Sequence, residues 1–334
     1  MRAANLQGWP GMTAAVVAVV AIAVAAIAFA AFLLWRDPYA LVRAEFARER
    51  LALGLARREV EVDGIRWVYA EGVAAAAAPV LVLLHGYTGS KENWYPVARR
   101  LRGRRRLLIP DLPGWGESQR SGVAGHGFAA QAARVAAFIR ATCDGPVTVL
   151  GHSMGGGIAA VLAAREPALV ERVGLFDAAG VRFADNQFGL DVLAGKNPFG
   201  VHDRASLAHY LGILFHDRRA VPAMPWPASA ILVAHRRRDA AFEQSVLDEI
   251  GRGPEQFLPG ESATRIRQPV LLAWGAHDQV IDPSAMDLYA DKMPQARKVL
   301  LDGSGHMTVM EQPGEVADAI DGLLAMPVQQ GAHA

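Results

Sequence analysis

The residue of this chain best suited to nucleophilic chemistry is a serine between glycines. It is Ser153, in the sequence GHSMG at residues 151–155, directly after an apolar run at 147–150 and directly before an alanine-rich helical pattern. A strand, a tight turn and a helix in that order lift the serine hydroxyl above the sheet edge, and glycines allow the close approach that the turn needs. The backbone N–H of Met154 points into the same space, where the helix dipole favours negative charge. These residues therefore predict a nucleophile with a donor for an oxyanion beside it.

A serine hydroxyl reacts at neutral pH only with a base in hydrogen-bond reach and a carboxylate that orients the base. His306 is the predicted base, because the loop GSGH at 303–306 follows a predicted strand and precedes a predicted helix. Asp278, which follows the apolar run at 270–274, is the preferred acid, since it gives the chain order serine, acid, histidine. Asp177 is the alternative acid, because it ends the strand that follows the nucleophile helix.

The apolar runs of the chain predict a mostly parallel sheet with helices on both faces. Residues 80–84 form a continuous apolar run, as expected of a strand buried on both sides. Further runs alternate with helical patterns, which is the order of a parallel sheet. These runs end at Asp111, Gly151, Asp177 and Gly275. Because ligands of such sheets bind beyond the carboxyl ends of the strands, the polar residues that follow the runs are expected to form the site.

The amino-terminal segment is predicted to span a membrane once. Residues 13–35 are 23 positions without a charge, and at about 1.5 Å per residue a helix of that length crosses a hydrocarbon core of ~30 Å. Trp9 and Trp35 flank the segment, and six arginines follow it between residues 36 and 58. This pattern predicts interfacial anchoring and a catalytic part on the cytoplasmic side. The alternative is a cleaved secretory signal with AFA at 28–30 as its cleavage site.

Composition excludes several other classes of protein. The 334 residues are 52% hydrophobic with a formal net charge of +1, which suffices for one large core and lacks the basic stripe that a nucleic-acid partner needs. The single cysteine, Cys143, forbids an internal disulfide, and no cluster of Cys and His stands at metal-ligand spacing. The sequence requires no cofactor, no metal and no obligate protein partner.

These observations divide the chain into units. The pair Asp63-Gly64 inside an alternating pattern predicts a hairpin and opens the globular part at Val60. About ninety residues separate the last two long apolar runs, far too many for a loop, so a helical cap is expected over the site, with some of its apolar side chains lining an acyl pocket. The predicted units are an anchor (1–36), a linking amphipathic helix (37–59), a core in two parts (60–181 and 267–326), the cap (182–266) and a tail (327–334).

Several short motifs of the chain match one superfamily. They are HGY at 85–87, KENW at 91–94, PDLPGWGES at 110–118, GHSMGG at 151–156, LFDAAG at 175–180, WGAHDQV at 274–280, and GH at 305–306 followed by MEQP at 310–313. With them the chain resembles the α/β-hydrolases, and specifically the membrane-anchored monoacylglycerol lipases and related bacterial lipases. The resemblance implies the α/β-hydrolase fold with an eight-stranded, mostly parallel sheet. It implies a triad of Ser153, Asp278 and His306. It also implies that the backbone N–H groups of Tyr87 and Met154 form the oxyanion hole.

The expected activity is hydrolysis of carboxylic esters with apolar acyl chains, monoacylglycerols first, through an acyl-enzyme on Ser153. The expected partners are the ester or lipid substrate and the bilayer that holds the amino-terminal helix. A carbon–carbon bond hydrolase with the same triad is the alternative enzyme, and a non-catalytic binding protein is the alternative outside catalysis. Haloalkane dehalogenases and epoxide hydrolases are disfavoured, because they need a carboxylate where Ser153 stands.

Overall fold

An eight-stranded sheet organises the part of the chain that the computed structural model describes, which comprises residues 10–74, 78–120, 122 and 125–328. Its strands are β1 (Ala56–Val62), β2 (Ile65–Gly72), β3 (Val80–Leu84), β4 (Arg106–Pro110), β5 (Val147–His152), β6 (Val170–Phe176), β7 (Val270–Gly275) and β8 (Arg297–Leu301). Their spatial order is β1-β2-β4-β3-β5-β6-β7-β8. Strand β2 runs antiparallel to both of its neighbours, and strands β3 to β8 are parallel to one another. The predicted mostly parallel sheet of eight strands is thereby confirmed.

The described part of the chain also contains twelve α-helices. They are α1 (Pro10–Arg36), α2 (Ala40–Ala52), α3 (Tyr95–Leu101), α4 (Phe128–Thr142), α5 (Met154–Arg165), α6 (Gln187–Leu193), α7 (Arg204–Leu214), α8 (Ala228–Arg252), α9 (Leu258–Ala263), α10 (Ser284–Ala290), α11 (Thr308–Glu311) and α12 (Pro313–Leu324). Helices lie between most pairs of consecutive strands, which is the alternation that the sequence predicts.

Helices cover both faces of the sheet. Successive side chains of each strand point to opposite sides, so one strand packs against helices on both faces. Val82 and Leu84 of β3 belong to one buried cluster with side chains of α4 and α5. Leu81 and Leu83 belong to a second buried cluster with side chains of α3 and α12. Burial on both sides explains why this strand is an apolar run without alternation.

The hairpin of β1 and β2 turns at the predicted pair. Asp63 and Gly64 have φ angles of 51° and 72°, the left-handed combination that a two-residue turn needs to match the twist of its strands. The backbone pairing extends from Val62 and Ile65 at the turn to Ala56 at the far end. The hairpin adds the two antiparallel strands at one edge of the sheet.

The predicted linking helix over residues 37–59 is too long. Helix α2 ends at Ala52, and β1 begins at Ala56, four residues before the predicted start of the globular part. Gly54, with a φ of 69°, stops the helix in the left-handed conformation common after helix ends. Residues 56–59 then pair with β2, and this pairing outweighs the helical pattern that continues through them.

The amino-terminal segment is described only in part. The predicted anchor over residues 1–36 includes residues 1–9, which lie outside the described residues, as do several side chains of α1. Among the described residues, no helix is both long enough and apolar enough to cross a membrane. The end of the predicted tail, residues 329–334, lies outside the described residues as well.

Helices α7 and α8 contact the loops at the carboxyl ends of the strands. The N–H of Met307 donates to the carbonyl of Leu214 at 3.2 Å, and the hydroxyl of Tyr87 donates to the carbonyl of Glu243 at 2.7 Å. The last helix of the predicted cap segment, α9, instead packs on the core, because the N–H of Gly260 donates to the carbonyl of Gly180 at 2.9 Å. We refer to residues 182–257 as the cap.

Candidate active site

Ser153 occupies a strained turn between β5 and α5. Its φ of 55° and ψ of −118° lie in a region that non-glycine residues rarely adopt. Two glycines make the turn possible, as the sequence predicts. A Cβ at Gly151 would lie 2.1 Å from the carbonyl oxygen of Gly155, and a Cβ at Gly155 would lie 2.5 Å from the carbonyl oxygen of His85. No residue larger than glycine fits at these two positions. The tight turn that they allow holds the hydroxyl of Ser153 at the edge of the sheet.

The structure brings the three predicted side chains together. The Nε2 atom of His306 lies 3.0 Å from Oγ of Ser153, and its Nδ1 atom lies 2.8 Å from Oδ2 of Asp278. The other carboxylate oxygen of Asp278 accepts hydrogen bonds from the N–H groups of Val280 and Ile281, at 2.8 and 3.0 Å. All three side chains are buried. The imidazole is thus fixed between a hydroxyl and an oriented carboxylate.

Burial sets the protonation of this group. It lowers the pKa of His306 below its usual range, because a buried imidazolium loses its hydration. The ring is therefore neutral near pH 7 and can accept a proton at Nε2. Burial raises the pKa of Asp278, and the two backbone hydrogen bonds that it accepts oppose this rise. A neutral imidazole beside a serine hydroxyl is the arrangement that general-base activation needs.

The alternative acid, Asp177, lies away from the imidazole of His306. It accepts hydrogen bonds from the N–H of Gly275, at 2.8 Å, and from the hydroxyl of Thr308. Burial, and then the charge of Asp278, raise its pKa. Through these contacts, the carboxylate of Asp177 ties the end of β6 to the end of β7 and to α11.

His152, the residue before Ser153, contacts the backbone of the His306 loop. Its Nε2 atom lies 2.7 Å from the carbonyl oxygen of His306, and its ring centroid lies 4.9 Å from that of His306. Burial lowers the pKa of His152 to about 3, so the ring is neutral. The ring supports the backbone from which His306 extends.

Two backbone N–H groups near Ser153 are the predicted oxyanion donors. Neither the N–H of Tyr87 nor that of Met154 donates a hydrogen bond within the described part of the chain, and both residues line a cavity that contains Ser153. A Cβ at Gly86 would lie 3.0 Å from the Cβ of Ser153, so a glycine there lets the Tyr87 loop come close to the nucleophile. The arrangement is suited to two donors facing a developing negative charge.

The cavity at Ser153 is mainly apolar and has a volume of about 210 Å³. Core and cap both contribute to it, and we call it the acyl cavity. Its apolar lining includes Val181, Phe183, Phe188, Val192, Phe199, Leu247, Ile250, Val280 and Ile281. Among the described residues, no three His, Cys, Asp or Glu side chains stand together in a way that could hold a metal ion.

Sequence reasoning missed Glu311, which joins the loop of His306 to the cap. Its Oε1 atom accepts from the N–H of Gly305 at 2.8 Å and from the hydroxyl of Ser304 at 3.2 Å, and its Oε2 atom accepts from the N–H of Asp217 at 2.7 Å. The MEQP motif is visible in the sequence, but its spacing does not reveal these backbone partners. Since Gly305 directly precedes His306, the carboxylate fixes the backbone that carries the imidazole.

We expect Glu311→Ala to lower kcat on a soluble ester by about tenfold with little change in KM, because a misplaced catalytic side chain costs rate more than affinity. Steady-state kinetics on p-nitrophenyl butyrate measure the effect. Glu315→Ala, at an exposed position of α12, is the matched control and should keep wild-type kinetics. A normal kcat in Glu311→Ala, with only a lower melting temperature, would contradict the positioning role.

Several known proteins are similar to this chain in sequence and in fold. A family described as alpha/beta hydrolase fold matches residues 79–313. Lipase 1 of Psychrobacter immobilis is 30% identical over 261 residues, which cover 77% of this chain and 80% of that lipase. Monoacylglycerol lipase ABHD6 of Homo sapiens is 29% identical over 305 residues, which cover 88% of this chain and 89% of that enzyme. The crystal structure of a membrane phospholipase A, a bacterial virulence factor, matches with a TM-score of 0.81 at 29% identity, covering 95% of this chain and 100% of that chain.

The chain therefore belongs to the alpha/beta hydrolase fold family, which confirms the resemblance seen in its motifs. The two relatives named above, from Psychrobacter immobilis and Homo sapiens, are lipases. The protein is a serine ester hydrolase of the lipase and carboxylesterase type.

Proposed function

We propose that Ser153 is the nucleophile of this ester hydrolase, that His306 is its acid and base, and that Asp278 orients the histidine. The observation that carries the proposal is the position of the His306 ring. One of its nitrogen atoms lies 3.0 Å from the serine Oγ, and the other lies 2.8 Å from the aspartate Oδ2. These distances permit proton transfer in the first case and fix the ring in the second.

The proposed reaction has two halves. Oγ of Ser153 attacks the ester carbonyl while Nε2 of His306 takes the hydroxyl proton. The carbonyl oxygen becomes an oxyanion and accepts hydrogen bonds from the N–H groups of Tyr87 and Met154. The imidazolium then protonates the leaving alcohol. In the second half, water gives a proton to the neutral imidazole and its oxygen attacks the acyl carbonyl. The imidazolium then returns that proton to Oγ of Ser153 as the acyl–serine bond breaks, which releases the acid and restores the serine.

The proposed substrates are esters with an apolar acyl chain, monoacylglycerols first. The acyl cavity supports this choice, because its lining is mainly apolar and includes Ser153. Burial of the chain in such a cavity is favourable by about 0.8 kcal/mol for each methylene group. The names of the relatives support it too, since one is a monoacylglycerol lipase and another a membrane phospholipase A.

The test of this function is Ser153→Ala. We expect a loss of about a millionfold in kcat, the usual cost of removing the nucleophile of a triad. The measurement is hydrolysis of p-nitrophenyl esters of graded chain length, in which the wild type should favour chains long enough to enter the acyl cavity. The folded state of the variant is checked by its melting temperature. A folded variant that keeps a tenth of the activity would refute the mechanism.

The second prediction distinguishes the two candidate acids. Asp278→Asn should lower kcat by about ten-thousandfold, because the histidine loses its orienting partner. Asp177→Asn serves as the control and should keep most of its activity, since its amide oxygen can still accept from the N–H of Gly275 and its NH2 group can donate to the hydroxyl of Thr308. Assays of both variants on one soluble ester decide the matter. The reverse order of effects would assign the acid to Asp177.

We further propose that residues 13–35 anchor the enzyme in a bilayer. They form the first unit of the proposed division of the chain, which continues with a linking helix, a two-part core, a cap and a tail. The support is the sequence of the segment, which is 23 residues long and carries no charge. A relative of similar structure is described as a membrane phospholipase A. The catalytic part would lie on the cytoplasmic side, because arginines follow the segment.

Deletion of residues 1–35 tests the anchor separately from the chemistry. The truncated enzyme should be soluble and should hydrolyse short water-soluble esters at the wild-type rate, because all proposed catalytic residues lie beyond β2. Its activity on monoacylglycerol in vesicles should fall, since the anchor raises the local concentration of substrate. Cell fractionation and assays on both substrates measure the two effects. If the protein is expressed with its full sequence and is recovered as a soluble species that lacks residues 1–30, the segment is a cleaved signal instead.

A further inference from the structure

The loop after β3, which carries one of the two proposed oxyanion donors, has little support from its own backbone. Its central residues are Tyr87 and Thr88, in a turn that closes where the N–H of Gly89 donates to the carbonyl of Gly86 at 3.1 Å. Among the described residues, no backbone group bonds the N–H or the carbonyl of either central residue. Thr88 has a φ of 58°, a strained conformation that persists only where the surroundings require it. Groups other than the backbone must therefore hold the turn.

The side chains of these two residues attach the turn to the cap. The hydroxyl of Tyr87 donates to the carbonyl of Glu243 in α8 at 2.7 Å and accepts from Nδ2 of Asn197 at 3.4 Å. The hydroxyl of Thr88 lies 3.1 Å from that of Tyr210 in α7. Burial raises the pKa of the Tyr87 phenol, so the hydroxyl keeps the proton that it donates. Three segments of the cap thus meet on two adjacent residues of the core.

A buried ion pair fixes the part of α8 that Tyr87 contacts. Nε of Arg236 lies 2.8 Å from Oε1 of Glu243, and both side chains are buried. Nη2 of Arg236 donates to the carbonyl of Phe199 at 2.8 Å, and the guanidinium lies over the ring of Tyr210, 4.7 Å from its centroid. Separating a buried pair leaves a charge without a partner and is costly. The pair therefore holds α8 in one position relative to α7 and to the segment of Phe199.

The phenol that the cap holds and the proposed oxyanion donor belong to the same residue. The ring of Tyr87 also packs edge-on against Trp115, with centroids 5.5 Å apart. A Cβ at Gly86 would lie 3.0 Å from the Cβ of Ser153, so this loop is close to the serine. With the ring fixed at both its edge and its hydroxyl, the Tyr87 N–H has little freedom to turn away from Ser153. A donor displaced by about 1 Å would slow the reaction, because the oxyanion forms only as the transition state is reached.

We propose that the phenol of Tyr87 is a positioning group, through which helix α8 of the cap holds the Tyr87 N–H toward the developing oxyanion. The contact between Thr88 and Tyr210 supports the same turn from α7. The inference rests on the proposed function, in which that N–H is an oxyanion donor. It gives the cap a part in the rate of the reaction, in addition to its part in lining the acyl cavity.

Tyr87→Phe tests the proposal, because it removes the hydroxyl and keeps the ring. On p-nitrophenyl butyrate we expect kcat to fall about tenfold with KM unchanged, which is a part of the roughly hundredfold or larger loss that follows complete removal of an oxyanion donor. Arg120→Gln is the matched control. It breaks an ion pair between the loop after β4 and Asp239 of α8, one turn before Glu243, in which Nη2 lies 2.8 Å from Oδ2. It leaves the Tyr87 contact in place and should keep the wild-type kcat.

Two inhibitors distinguish positioning from a general loss of structure. Oγ of Ser153 adds to the carbonyl carbon of butyl trifluoromethyl ketone, His306 takes the hydroxyl proton, and the ketone oxygen becomes an oxyanion. Butyl methyl ketone has the same chain and forms no stable adduct. Tyr87→Phe should raise the inhibition constant of the first ketone about tenfold and leave that of the second unchanged, since only the adduct needs the N–H.

A second variant keeps the test decisive if Tyr87→Phe does not fold, which its melting temperature shows. Tyr210→Phe removes the hydroxyl that contacts Thr88 and should also lower kcat with KM unchanged. A folded variant of either kind with the wild-type kcat, an equal rise in both inhibition constants, or the same loss of kcat in Arg120→Gln overturns the proposal. Failure of the proposed function is a different result, because it would appear as hydrolysis that survives Ser153→Ala.

Discussion

One close backbone approach, between the end of β5 and the first turn of α5, determines where the hydroxyl of Ser153 lies. A Cβ at Gly151 would lie 2.1 Å from the carbonyl oxygen of Gly155, and a Cβ at Gly155 would lie 2.5 Å from that of Leu84. At this separation the strand presents Ser153 beyond its carboxyl end, where the ring of His306 can reach it. Since the glycines fix Ser153, the loops after β7 and β8 have only to bring Asp278 and His306 to it.

Backbone strain is concentrated at the same edge of the sheet. Among the described residues other than glycine, those with positive φ are Thr88, Ser153 and Asp177, beyond the ends of β3, β5 and β6, and Asp63 in the hairpin turn. Each such conformation costs of order 1–3 kcal/mol, which is a large share of the roughly 5–15 kcal/mol by which a native protein is stable. Fully buried strands and helices on both faces hold these residues. A rigid core therefore sets the position of Ser153.

What the sequence predicts correctly has a local cause. The hairpin turn, the unalternating strands and the glycines around Ser153 each leave a signature within about ten residues. The motifs of the loops that contain Asp278 and His306 are equally short. The end of α2 is predicted wrongly, because residues 56–59 look helical alone and become a strand only by pairing with β2. The role of Glu311 depends on a backbone partner 94 residues away.

In the proposed arrangement, the acyl cavity orients the ester at Ser153. Exchanging the two ends of a lipid would leave its chain outside this cavity, at about 0.8 kcal/mol for each methylene group left unburied. The same exchange would move the polar end of the lipid among apolar side chains, which is also costly. Because both terms have the same sign, one orientation dominates, and it presents the carbonyl carbon to Ser153. Productive orientation is then obtained from groups distant from the reacting atoms, and the binding energy of the acyl chain contributes to the rate as well as to affinity.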